Sequence, residues 1–531
     1  MPLNLNEEML DKSSLFKLLN NRFCDGHKKL SQIPNPNLLQ DAQKAAKKIV
    51  QSIKENKKIT VVGDYDVDGV VSTAIMADFF KQIPYPLETV IPNRFNDGYG
   101  VSPNILNRIE TDLIITVDNG ISAFEAAEIC KERNIDLIIT DHHTPAELLP
   151  EAFCIVNPKL SKCTYPFKEI CGAQVAWLLL ALVKKELNLN VSMEKFLDIL
   201  AIAIIADIMP LIDINRTLVK EGLKVLMTST RPASIIIRDF LNKSSITSED
   251  IAFQIAPRIN SAGRLKDATI SLKFFLASST HEAYKFFEEL NTLNEQRKET
   301  EAKTTKEALK KANKDDKVIV VAKEDWHEGV VGIVAARVVD HFCKPAIILS
   351  IKDSIAKGSA RSIGNVNIYN LIKENKHFLN KFGGHKMAAG LGLDANNLDN
   401  FKDAINISAS KLSNDDFIPK EEIAGIFKCS EIDYELLNIL ENFEPYGEAN
   451  SRPKFFIKDA QIINIKTFGR DKSHSKITLK QFSTDKKNIE LIAFKKVLEM
   501  PTNKKMSCSY SITKNEFNLK ISIQLIINKI Y

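Results

Sequence analysis

The stretch ITVVGDYDVDGVVSTAIM (residues 59–76) predicts a buried strand, a tight turn and a helix that begins at Gly69 or Val70. The turn carries three carboxylates at alternate positions: Asp64, Asp66 and Asp68. Carboxylates that are this close repel one another, so they need either cations or full solvation. A plain acidic turn is the alternative, because Asp and Gly are good turn residues. The stretch alone leaves both interpretations open.

Three further strand signals follow the first one along the chain. They are ETVIPN (88–93), DLIITVDNG (112–120) and DLIITDHH (136–143), with a helix predicted over 123–132. Strands that are apolar almost throughout and are separated by helices indicate a parallel sheet covered on both faces. Ligands bind such sheets beyond the carboxyl ends of the strands. The DYDVD, DNG and DHH segments are therefore expected to meet at one edge.

These segments supply the side chains of a candidate metal site. Asp118 lies in VDNG, Asp141, His142 and His143 form the DHH segment, and Asp207 interrupts the apolar run AIIADIMPL. Carboxylate oxygens with one or two imidazoles suit Mn²⁺ or Mg²⁺ better than they suit metals that prefer thiolates. One ion could not neutralise so many carboxylates, so we predict two divalent cations of the kind that act together on phosphoryl groups.

The second half of the chain predicts three more units. A charged helix over 281–312 lacks Gly and Pro and is expected to join two domains. A second α/β unit begins with KVIVVA (317–322) and ends near residue 412. Short alternating segments such as KITLKQF and KISIQLII then predict a small β-barrel.

Composition and charge narrow the class of protein. The chain has 531 residues, 44% hydrophobic and 26% charged, which is ordinary for globular proteins and predicts three or four domains. Eight cysteines without a CxxC pair, and an acidic N-terminus where a signal peptide would be basic, predict a cytoplasmic protein without structural zinc. The most apolar run, 196–214, holds three aspartates and predicts a buried helix rather than a membrane span.

Positive charge is concentrated at the C-terminal end. Residues 452–531 hold 17 Lys and Arg against 6 Asp and Glu, a net charge of +11. The whole chain carries +5, so the first 451 residues carry −6. A basic module on a slightly acidic body favours a polyanionic ligand, although a solvated lysine-rich surface would look the same.

Several motifs, taken together, resemble a known family. GDYDVDG, VDNG, DHH and ADIMPL, in this order, resemble the four motifs of the DHH phosphoesterase superfamily. APRINSAGR (256–264) resembles a motif of the RecJ branch, the exonucleases specific for single-stranded DNA. WHEGVVGIVAAR (326–337), GSARS (358–362) and GGHKMAAG (383–390) resemble the DHH-associated domain, and FEPYGEANSRPKF (443–455) resembles the entry to an OB-fold domain. The resemblance covers nearly the whole chain after residue 45.

The resemblance implies roles for the residues of the metal site. The implied metal ligands are Asp66, Asp68, Asp118, His142 and Asp207, with Asp118 bridging two cations. Asp64 is expected to support the ligands from behind, and His143 to contact the phosphate or the transition state. Many superfamily members have a His where this chain has Val62. That departure leaves the coordination of the first metal open, with Asp64 or water as candidates to complete it.

The resemblance also implies substrate contacts. In the second unit, a Gly-rich loop would bring backbone N–H groups to a phosphate, and a guanidinium would pair with a phosphate on two atoms. The expected contacts are Arg258, Asn260 and Arg264 on the catalytic side and Ser359, Arg361, Gly383, Gly384 and His385 on the other. Phe455, Phe456 and Phe468 of the barrel are candidates to stack on bases.

The domain organisation is expected to have five parts. They are an N-terminal helical arm (1–45), a DHH catalytic domain (46–275), a linker helix (276–314), a DHH-associated substrate-binding domain (315–415) and an OB-fold DNA-binding domain (420–531). The fold class is thus α/β, with a parallel-sheet domain, a smaller α/β domain and a β-barrel.

The expected function is 5′→3′ hydrolysis of single-stranded DNA to 5′-mononucleotides by a monomeric, metal-dependent enzyme of DNA recombination and repair. Two alternatives stay open. One is a DHH phosphoesterase acting on short oligonucleotides, cyclic dinucleotides or pyrophosphate; such relatives are compact and lack an OB domain. The other is a non-catalytic DNA-binding scaffold, which loss of ligands would mark. Cooperation with a single-strand-binding protein and a helicase is also left open.

Overall fold

The N-terminal arm is short and mostly helical. The computed structural model describes residues 8–23, 28–419, 421–469, 471–482, 488–517 and 520–531. Within the arm, strand β1 (Met9–Leu10) precedes helix α1 (Lys12–Asn20), which begins with Asp11 as its cap. The Asp11 side chain accepts a hydrogen bond from the Ser14 N–H, as expected for a helix N-cap.

The catalytic domain is built on a parallel sheet, which confirms the prediction. Five strands run in the order β3-β2-β4-β5-β6, and every pairing is parallel. They are β2 (Ile59–Val62), β3 (Glu88–Val90), β4 (Leu113–Val117), β5 (Asp136–Thr140) and β6 (Cys154–Val156). The helices of this part are α2 (Ala42–Lys54), α3 (Val67–Phe80), α4 (Pro103–Leu106), α5 (Phe124–Glu132) and α6 (Gly172–Glu186). Strands β2 and β4 are buried throughout, which is why their sequences are almost wholly apolar.

A helical half completes this domain. Its helices are α7 (Leu197–Ala206), α8 (Asp213–Thr228), α9 (Pro232–Leu241), α10 (Ser248–Asp250), α11 (Ala256–Leu265) and α12 (Thr269–Leu276). A single π-helical turn, Ile251–Ile255, joins α10 to α11. Helix α7 ends just before Asp207, and its residues are buried up to Ile205. None of the described helices has both the length and the hydropathy needed to cross a bilayer.

One long helix carries the chain to the second α/β unit. Helix α13 (Thr280–Lys311) begins and ends within one residue of the predicted charged helix. It contacts α11 of the catalytic domain and α14 (Val331–Phe342) of the next unit. Arg297 and Glu301 of α13 form a buried ion pair, and Glu301 also binds Arg337 of α14. The linker is therefore attached to both domains that it joins.

The second unit has a mixed five-stranded sheet. Its order is β10-β11-β9-β8-β7, with only the β7–β8 pair parallel. The strands are β7 (Ile319–Glu324), β8 (Ala346–Lys352), β9 (Ile355–Arg361), β10 (Lys381–His385) and β11 (Ala388–Asp394). Helices α15 (Ile368–Glu374) and α16 (Leu398–Ser410) follow α14 in this unit.

The C-terminal part is a closed β-barrel, as predicted. Strand β12 (Ile426–Phe427) and helix α17 (Tyr434–Asn442) come first. The barrel order is β13-β14-β15-β17-β16. Its strands are β13 (Lys454–Phe468), β14 (His474–Lys480), β15 (Ile489–Ala493), β16 (Lys505–Phe517) and β17 (Lys520–Ile530).

The N-terminal arm packs with the barrel, at the other end of the sequence. Strand β1 pairs in parallel with β12, Met9 lying opposite Ile426. Leu15 and Leu19 of α1 are fully buried in the same core cluster as the barrel residues. The part of the arm with β1 and α1 therefore belongs structurally to the barrel, although more than 400 residues separate the two in sequence, whereas Leu39, Ala42 and Ala45 lie in the core of the parallel-sheet domain.

Candidate metal centre

The turn after β2 holds two carboxylates of the cluster in place by backbone hydrogen bonds. Asp66 is the N-cap of α3, and its Oδ1 accepts from the N–H groups of Asp68 (3.0 Å) and Gly69 (3.2 Å). Asp64 is buried, and its Oδ1 accepts from the Tyr65 N–H at 2.7 Å. A Cβ on Gly69 would lie 2.4 Å from the Asp64 nitrogen. Glycine is therefore required there for the turn to close against the helix.

Helix α6 begins against Asp68. The N–H groups of Gly172 and Ala173 donate to the two carboxylate oxygens of Asp68, at 2.6 and 2.9 Å. A helix N-terminus is a favourable place for a negative charge, because its first N–H groups lack partners within the helix. A Cβ on Gly172 would lie 2.4 Å from the Cβ of Asp118. The absence of a side chain lets the helix start this close to the cluster.

Asp118 follows β4 in an uncommon backbone conformation. Its φ is +62°, in the left-handed region that Asp and Asn tolerate best after glycine. The next residue, Asn119, is buried and donates to the carbonyls of Val62 and Val117 while accepting from the Val101 N–H. Asn119 thus ties the turn to the ends of two strands and fixes the direction of the Asp118 side chain.

The DHH segment after β5 is organised by its aspartate. Asp141 Oδ1 accepts from the N–H groups of His142 (2.7 Å) and His143 (3.0 Å) and contacts His143 Nδ1 at 2.7 Å. Asp141 Oδ2 accepts from the Ile121 N–H at 2.9 Å. His142 is buried and His143 is partly exposed. One carboxylate therefore positions both imidazoles without being a member of the cluster itself.

Buried atoms without hydrogen-bond partners meet at His142. Its Nε2 lies 3.2 Å from Asp118 Oδ1, 3.5 Å from Asp207 Oδ2 and 3.7 Å from Asp68 Oδ2. Asp118 Oδ1, Asp207 Oδ2 and both ring nitrogens of His142 are buried and make no hydrogen bond within the described residues. Buried polar atoms in proteins nearly always have partners, so the convergence of these donor atoms fits a site for a cation.

The ligand atoms form overlapping groups, each within 4.8 Å. The groups are Asp64, Asp66 and Asp118; Asp68, His142 and Asp207; and Asp118, His142 and His143. Asp118 occurs in two of them, and its Oδ1 lies 3.2 Å from Nε2 of His142, which belongs to the third. Hard oxygen donors with one or two imidazoles fit Mg²⁺ or Mn²⁺. All five predicted ligands are brought together, and Asp64 lies with them rather than behind them.

Burial and the closeness of several carboxylates shift the pKa values of the side chains in the cluster. Burial and the charge of Asp68 raise the pKa of Asp118 and of Asp207 well above the usual range. Burial lowers the pKa of His142 to about 4, so this imidazole is neutral at pH 7 and able to ligate a metal. Burial alone would lower the pKa of His143, but Asp141 raises it to about 9. His143 is therefore a cation at neutral pH.

A cleft of about 980 Å³ opens between the catalytic domain and the second α/β unit. His143 and Arg94 line it on the catalytic side. Ser359, Gly383 and Gly384, all predicted substrate contacts, line the opposite wall with two lysines, Lys357 and Lys381. A Cβ on Gly383 would meet nothing within 4 Å, so the backbone there is open to a ligand. The cleft thus joins the metal cluster to a glycine-rich, basic wall.

A second cavity, of about 550 Å³, lies on the other side of the cluster. Ala206 and Ile208, which flank Asp207, line it together with Asn260 and Arg264, and Arg452 at the barrel entrance closes it. The Asn260 side chain also accepts from the Val67 N–H at the start of α3. The cluster therefore lies between two cavities, one lined by the second α/β unit and the other by residues at the entrance to the barrel.

Arg264 is a partly buried cation with little compensation. Burial, followed by the charge of Arg94, lowers its pKa to about 10. Its guanidinium makes a long hydrogen bond, 3.4 Å, to the carbonyl of Gly329. Helix α11 approaches its neighbours closely here, since a Cβ on Gly263 would lie 2.3 Å from the Tyr65 carbonyl oxygen. A poorly compensated, partly buried cation at a cavity wall is suited to an anion such as a phosphate.

Three of the predicted contacts lie away from both cavities, on another helix face or inside the barrel wall. Arg258 lines neither cavity: its guanidinium stacks on Phe240 at 4.3 Å and its Nε donates to Asn291 of α13. Six residues along a helix turn the side chain by about 240° from that of Arg264, onto another face. Phe455 and Phe456 lie in the barrel wall, 0% and 3% exposed, and cannot offer a face to a base.

Two other predicted residues lie outside the lining of the cleft. His385 is exposed at the tip of the β10–β11 hairpin. Arg361 ends β9 and donates from Nη1 to the Ala360 carbonyl, and its Nη2 would lie 3.1 Å from a Cβ on Gly332. Burial lowers its pKa. The positive charge of Arg361 helps to lower the pKa of Arg264 in the neighbouring domain, so both guanidiniums lie in one basic region.

Some site residues were missed from the sequence. Arg94 and Tyr99 both line the cleft. Arg94 lies over the Tyr65 ring at 5.3 Å, and the Tyr99 hydroxyl donates to the Asp118 carbonyl at 3.3 Å. Both follow β3, so the rule that placed the other clusters at strand ends would have found them. No sequence pattern indicated that residue 172 must lack a side chain for α6 to begin beside Asp68 and Asp118.

Successive parts of the chain match known protein families. Three family models match: the DHH family N-terminal domain at residues 58–204, the DHHA1 domain at 315–411 and the RecJ OB domain at 423–529. The chain is 32% identical to the single-stranded-DNA-specific exonuclease RecJ of Haemophilus influenzae, with 94% of this chain and 92% of that protein covered. It is 35% identical to RecJ of Bacillus subtilis, where 88% of this chain matches 60% of the relative's length.

A solved structure extends the similarity to three dimensions. The crystal structure of RecJ from Thermus thermophilus in complex with Mn²⁺ matches with a TM-score of 0.81 and 27% identity. The match covers 93% of this chain and 72% of that one. The same protein in complex with Mg²⁺ matches with a TM-score of 0.75. Both ions are those favoured by the donor set described above.

Proposed function

Because the chain belongs to the RecJ family of single-stranded-DNA-specific exonucleases, we propose that it hydrolyses single-stranded DNA in the 5′→3′ direction and releases 5′-mononucleotides. The observation that carries the proposal is the cluster of buried carboxylates and imidazole with unpartnered atoms, placed between two basic cavities. The match to the RecJ OB domain favours it over the compact DHH phosphoesterases, and the full ligand set favours it over a non-catalytic scaffold.

The cluster would hold two divalent cations, Mn²⁺ or Mg²⁺. One would be bound by Asp64, Asp66 and Asp118 and the other by Asp68, His142 and Asp207, with Asp118 shared between them. The grouping of the ligand atoms supports this division. In this division Asp64 would supply the ligand that many relatives obtain from a His at the position of Val62, since Asp64 lies with Asp66 and Asp118. When bound, such cations polarise phosphoryl oxygens and lower the pKa of water.

The residues of the chain would bind and orient the substrate. Asp141 holds His143 so that the imidazolium faces the cleft, where it would contact an oxygen of the scissile phosphate. Arg94 and Arg264 would offset the charge of the phosphates on either side. The glycine-rich wall at Gly383 and Gly384 would approach the 5′ end through backbone N–H groups.

The proposed path of the strand follows the domains. Residues 420–531 would receive the DNA, the second cavity would pass it to the catalytic domain (46–275), and the 315–415 unit would hold the 5′ end. The linker (276–314) would fix the distance between the last two, and the first part of the arm (1–45), through β1 and α1, would support the barrel. We propose that the protein acts as a monomer, to be checked by sedimentation. Cooperation with a single-strand-binding protein or a helicase would be checked by adding each to the assay.

The proposal is tested by labelling either end of a DNA strand. Single-stranded, duplex and tailed substrates labelled at the 5′ or 3′ end are incubated with Mn²⁺, with Mg²⁺ or with EDTA. We expect a labelled mononucleotide as the first product of 5′-labelled single strands and a descending ladder from 3′-labelled ones, with no cleavage in EDTA. Progressive shortening from the 3′ end would contradict the polarity, and activity in EDTA would contradict the metal dependence.

Replacing Arg361 is expected to weaken substrate binding more than chemistry. The Arg361→Gln variant should raise the KM for single-stranded DNA by about 10- to 100-fold, the range for a lost charged phosphate contact, with a smaller change in kcat. Arg337→Gln is the matched control, because Arg337 in the same unit pairs with Glu301 of the linker instead. Steady-state kinetics would measure both. Equal KM values for the two variants would mean that Arg361 does not contact the DNA.

A further inference from the structure

Helix α7 ends in a strained cap, and Asp207 is the residue at which it ends. After it, the N–H of Ile208 donates to the Ile205 carbonyl and the N–H of Met209 to the Ile204 carbonyl, both at 3.2 Å. This pair of bonds is a Schellman motif, whose left-handed residue is usually glycine. Here that residue is Ile208, with a φ of +56°, an outlier for a β-branched side chain. Such a conformation persists only where the surrounding contacts hold it.

Asn215 holds this turn from the first turn of α8. Its side chain is fully buried, and its Nδ2 donates to the carbonyls of Pro210 (3.0 Å) and Glu169 (2.7 Å). Pro210 lies three residues after Asp207, and Glu169 lies three residues before Gly172, the first residue of α6. One side-chain amide therefore ties the turn after α7 to the segment that leads into α6.

Gln174 completes the connection from within the first turn of α6. Its side chain is also fully buried, and its Nε2 donates to Asn215 Oδ1 at 2.8 Å. Its Oε1 accepts from the Cys171 N–H at 3.0 Å. Buried amides that are bonded at both ends favour a single arrangement, because any other leaves a polar group unpaired. We call Asn215 and Gln174 the amide bridge.

The amide bridge joins the supports of two carboxylates that belong to one group of ligand atoms. Asp68 accepts from the N–H groups of Gly172 and Ala173, at the start of α6. Asp207 is carried by the cap of α7. Asp68 and Asp207 form, with His142, one of the groups whose ligand atoms lie within 4.8 Å of one another. Within the described residues, the amide bridge makes no hydrogen bond to either carboxylate, so it acts on them through the backbone.

We propose that the amide bridge positions Asp68 and Asp207 relative to each other and so sets the affinity of their ligand group for a divalent cation. Asn215 and Gln174 are thus positioning residues. The proposal rests on the proposed function for the division of the ligands between two cations. It predicts an effect on one cation only, because the group that contains Asp66 is supported by other turns.

The amide bridge should also affect which cation the group accepts. Mg²⁺ is small and demands near-ideal octahedral geometry. Mn²⁺ is larger and takes the same kinds of ligand. A change in the spacing of Asp68 and Asp207 should therefore reduce activity in Mg²⁺ more than activity in Mn²⁺. A side chain that only stabilises the fold would leave this ratio unchanged.

The test measures Mn²⁺ binding to the protein without DNA, from the EPR signal of the free ion during a titration. The wild type should bind two ions per chain. Asn215→Ala should bind one ion as the wild type does and the other about 10-fold more weakly, the lower end of the range for groups that support metal ligands. With saturating Mn²⁺, the KM for single-stranded DNA should change little.

A second variant breaks the amide bridge from the other side. Gln174→Met keeps the length of the side chain, removes the bonds to Asn215 and Cys171, and should weaken the same ion. It keeps the proposal testable where Asn215→Ala is too unstable to purify. The double variant should bind Mn²⁺ no more weakly than the weaker single variant, because both changes interrupt one connection. Effects that simply add would contradict a shared bridge.

A matched control is available in the second α/β unit. Asn406 also donates to two carbonyls, those of Val318 (3.1 Å) and Lys402 (3.0 Å), and accepts from the Val318 N–H at 3.0 Å. Asn406→Ala therefore removes the same kinds of bond and should lower the melting temperature without changing Mn²⁺ binding or the ratio of activity in Mg²⁺ to that in Mn²⁺.

The outcomes separate this proposal from the proposed function. If the wild type binds two ions and a folded Asn215→Ala or Gln174→Met binds both equally well, the amide bridge only stabilises the fold and the proposal is overturned. Equal weakening of both ions would overturn it too, because the effect would then be a general distortion. Failure of the proposed two-cation site looks different: the wild type itself would bind fewer than two ions, and both proposals would fall.

Discussion

Asp118→Asn is expected to reduce turnover on single-stranded DNA by at least about three orders of magnitude, the scale seen for central catalytic groups. Asp118 is the one aspartate that occurs in two groups of ligand atoms, with Asp64 and Asp66 in one and with His142 in the other, so removing its charge should weaken both proposed cation sites. Asparagine keeps the size of the side chain and tolerates the left-handed backbone at this position, so the fold should persist. Binding of DNA in EDTA should change little.

Thermal melting supplies a second measurement on the same variant. Without metal, removing one of several buried carboxylates that repel one another should leave the melting temperature of Asp118→Asn equal to or above that of the wild type. Added Mn²⁺ should raise the melting temperature of the wild type more than that of the variant, because ligands stabilise the state that binds them. A folded Asp118→Asn that kept more than about a tenth of wild-type turnover would contradict the role of Asp118 as shared ligand.

A matched control lies in the same sheet. Asp136 is the first residue of β5 and lies at the amino ends of the strands, opposite the edge that holds the cluster. It pairs with Lys48 at 2.5 Å and takes no part in the cluster. Asp136→Asn makes the same chemical change in a neighbouring strand and should keep wild-type turnover. Loss of activity in both variants would point to general destabilisation of the sheet instead of loss of a ligand.

The catalytic sheet and its site were predictable from the sequence for one physical reason. Parallel strands covered on both faces are apolar throughout, and the residues after them share one edge. That rule is enough to bring Asp66, Asp118 and His142 together from the amino-acid sequence alone. It would also have found Arg94, which follows β3. The apolar run identifies the strand in the sequence, and the end of that strand places the next residues at a known edge of the sheet.

Other features depend on contacts that the local sequence does not encode. Arg258 and Arg264 lie in the same motif, but the helix turns them onto different faces, and only packing against Phe240 and α13 decides which one lines a cavity. Phe455 and Phe468 belong to one strand that coils around the barrel, so one ring is in the core and the other is at the surface. Strands β1 and β12 are only two residues long and lie more than 400 residues apart in the sequence. No sequence pattern predicts that they pair.

Gly172→Ala is expected to lower kcat by about 100-fold although Gly172 carries no functional group, because a displacement of about 1 Å in an active site can cost this much. The added Cβ would lie 2.4 Å from the Asp118 Cβ and 2.7 Å from its Oδ1. Relief requires either Asp118 or the start of α6 to move. Movement of α6 would also lengthen the bonds from Gly172 and Ala173 to Asp68. Each route disturbs a proposed ligand of a cation.

The measurements that test this are the split between kcat and KM and the Mn²⁺ concentration for half-maximal activity. We expect kcat to fall and the Mn²⁺ requirement to rise, while the KM for DNA changes little, because neither cavity wall is altered. Gly392→Ala is the matched control: its Cβ would meet only lysine side-chain carbons at 3.6 Å or more, an ordinary contact. Overpacking of this kind costs about 1–3 kcal/mol of folding free energy, so the melting temperature is recorded for both variants. Turnover by Gly172→Ala within about twofold of wild type would mean that Asp118 tolerates displacement, and that the start of α6 does not set the geometry of the cluster.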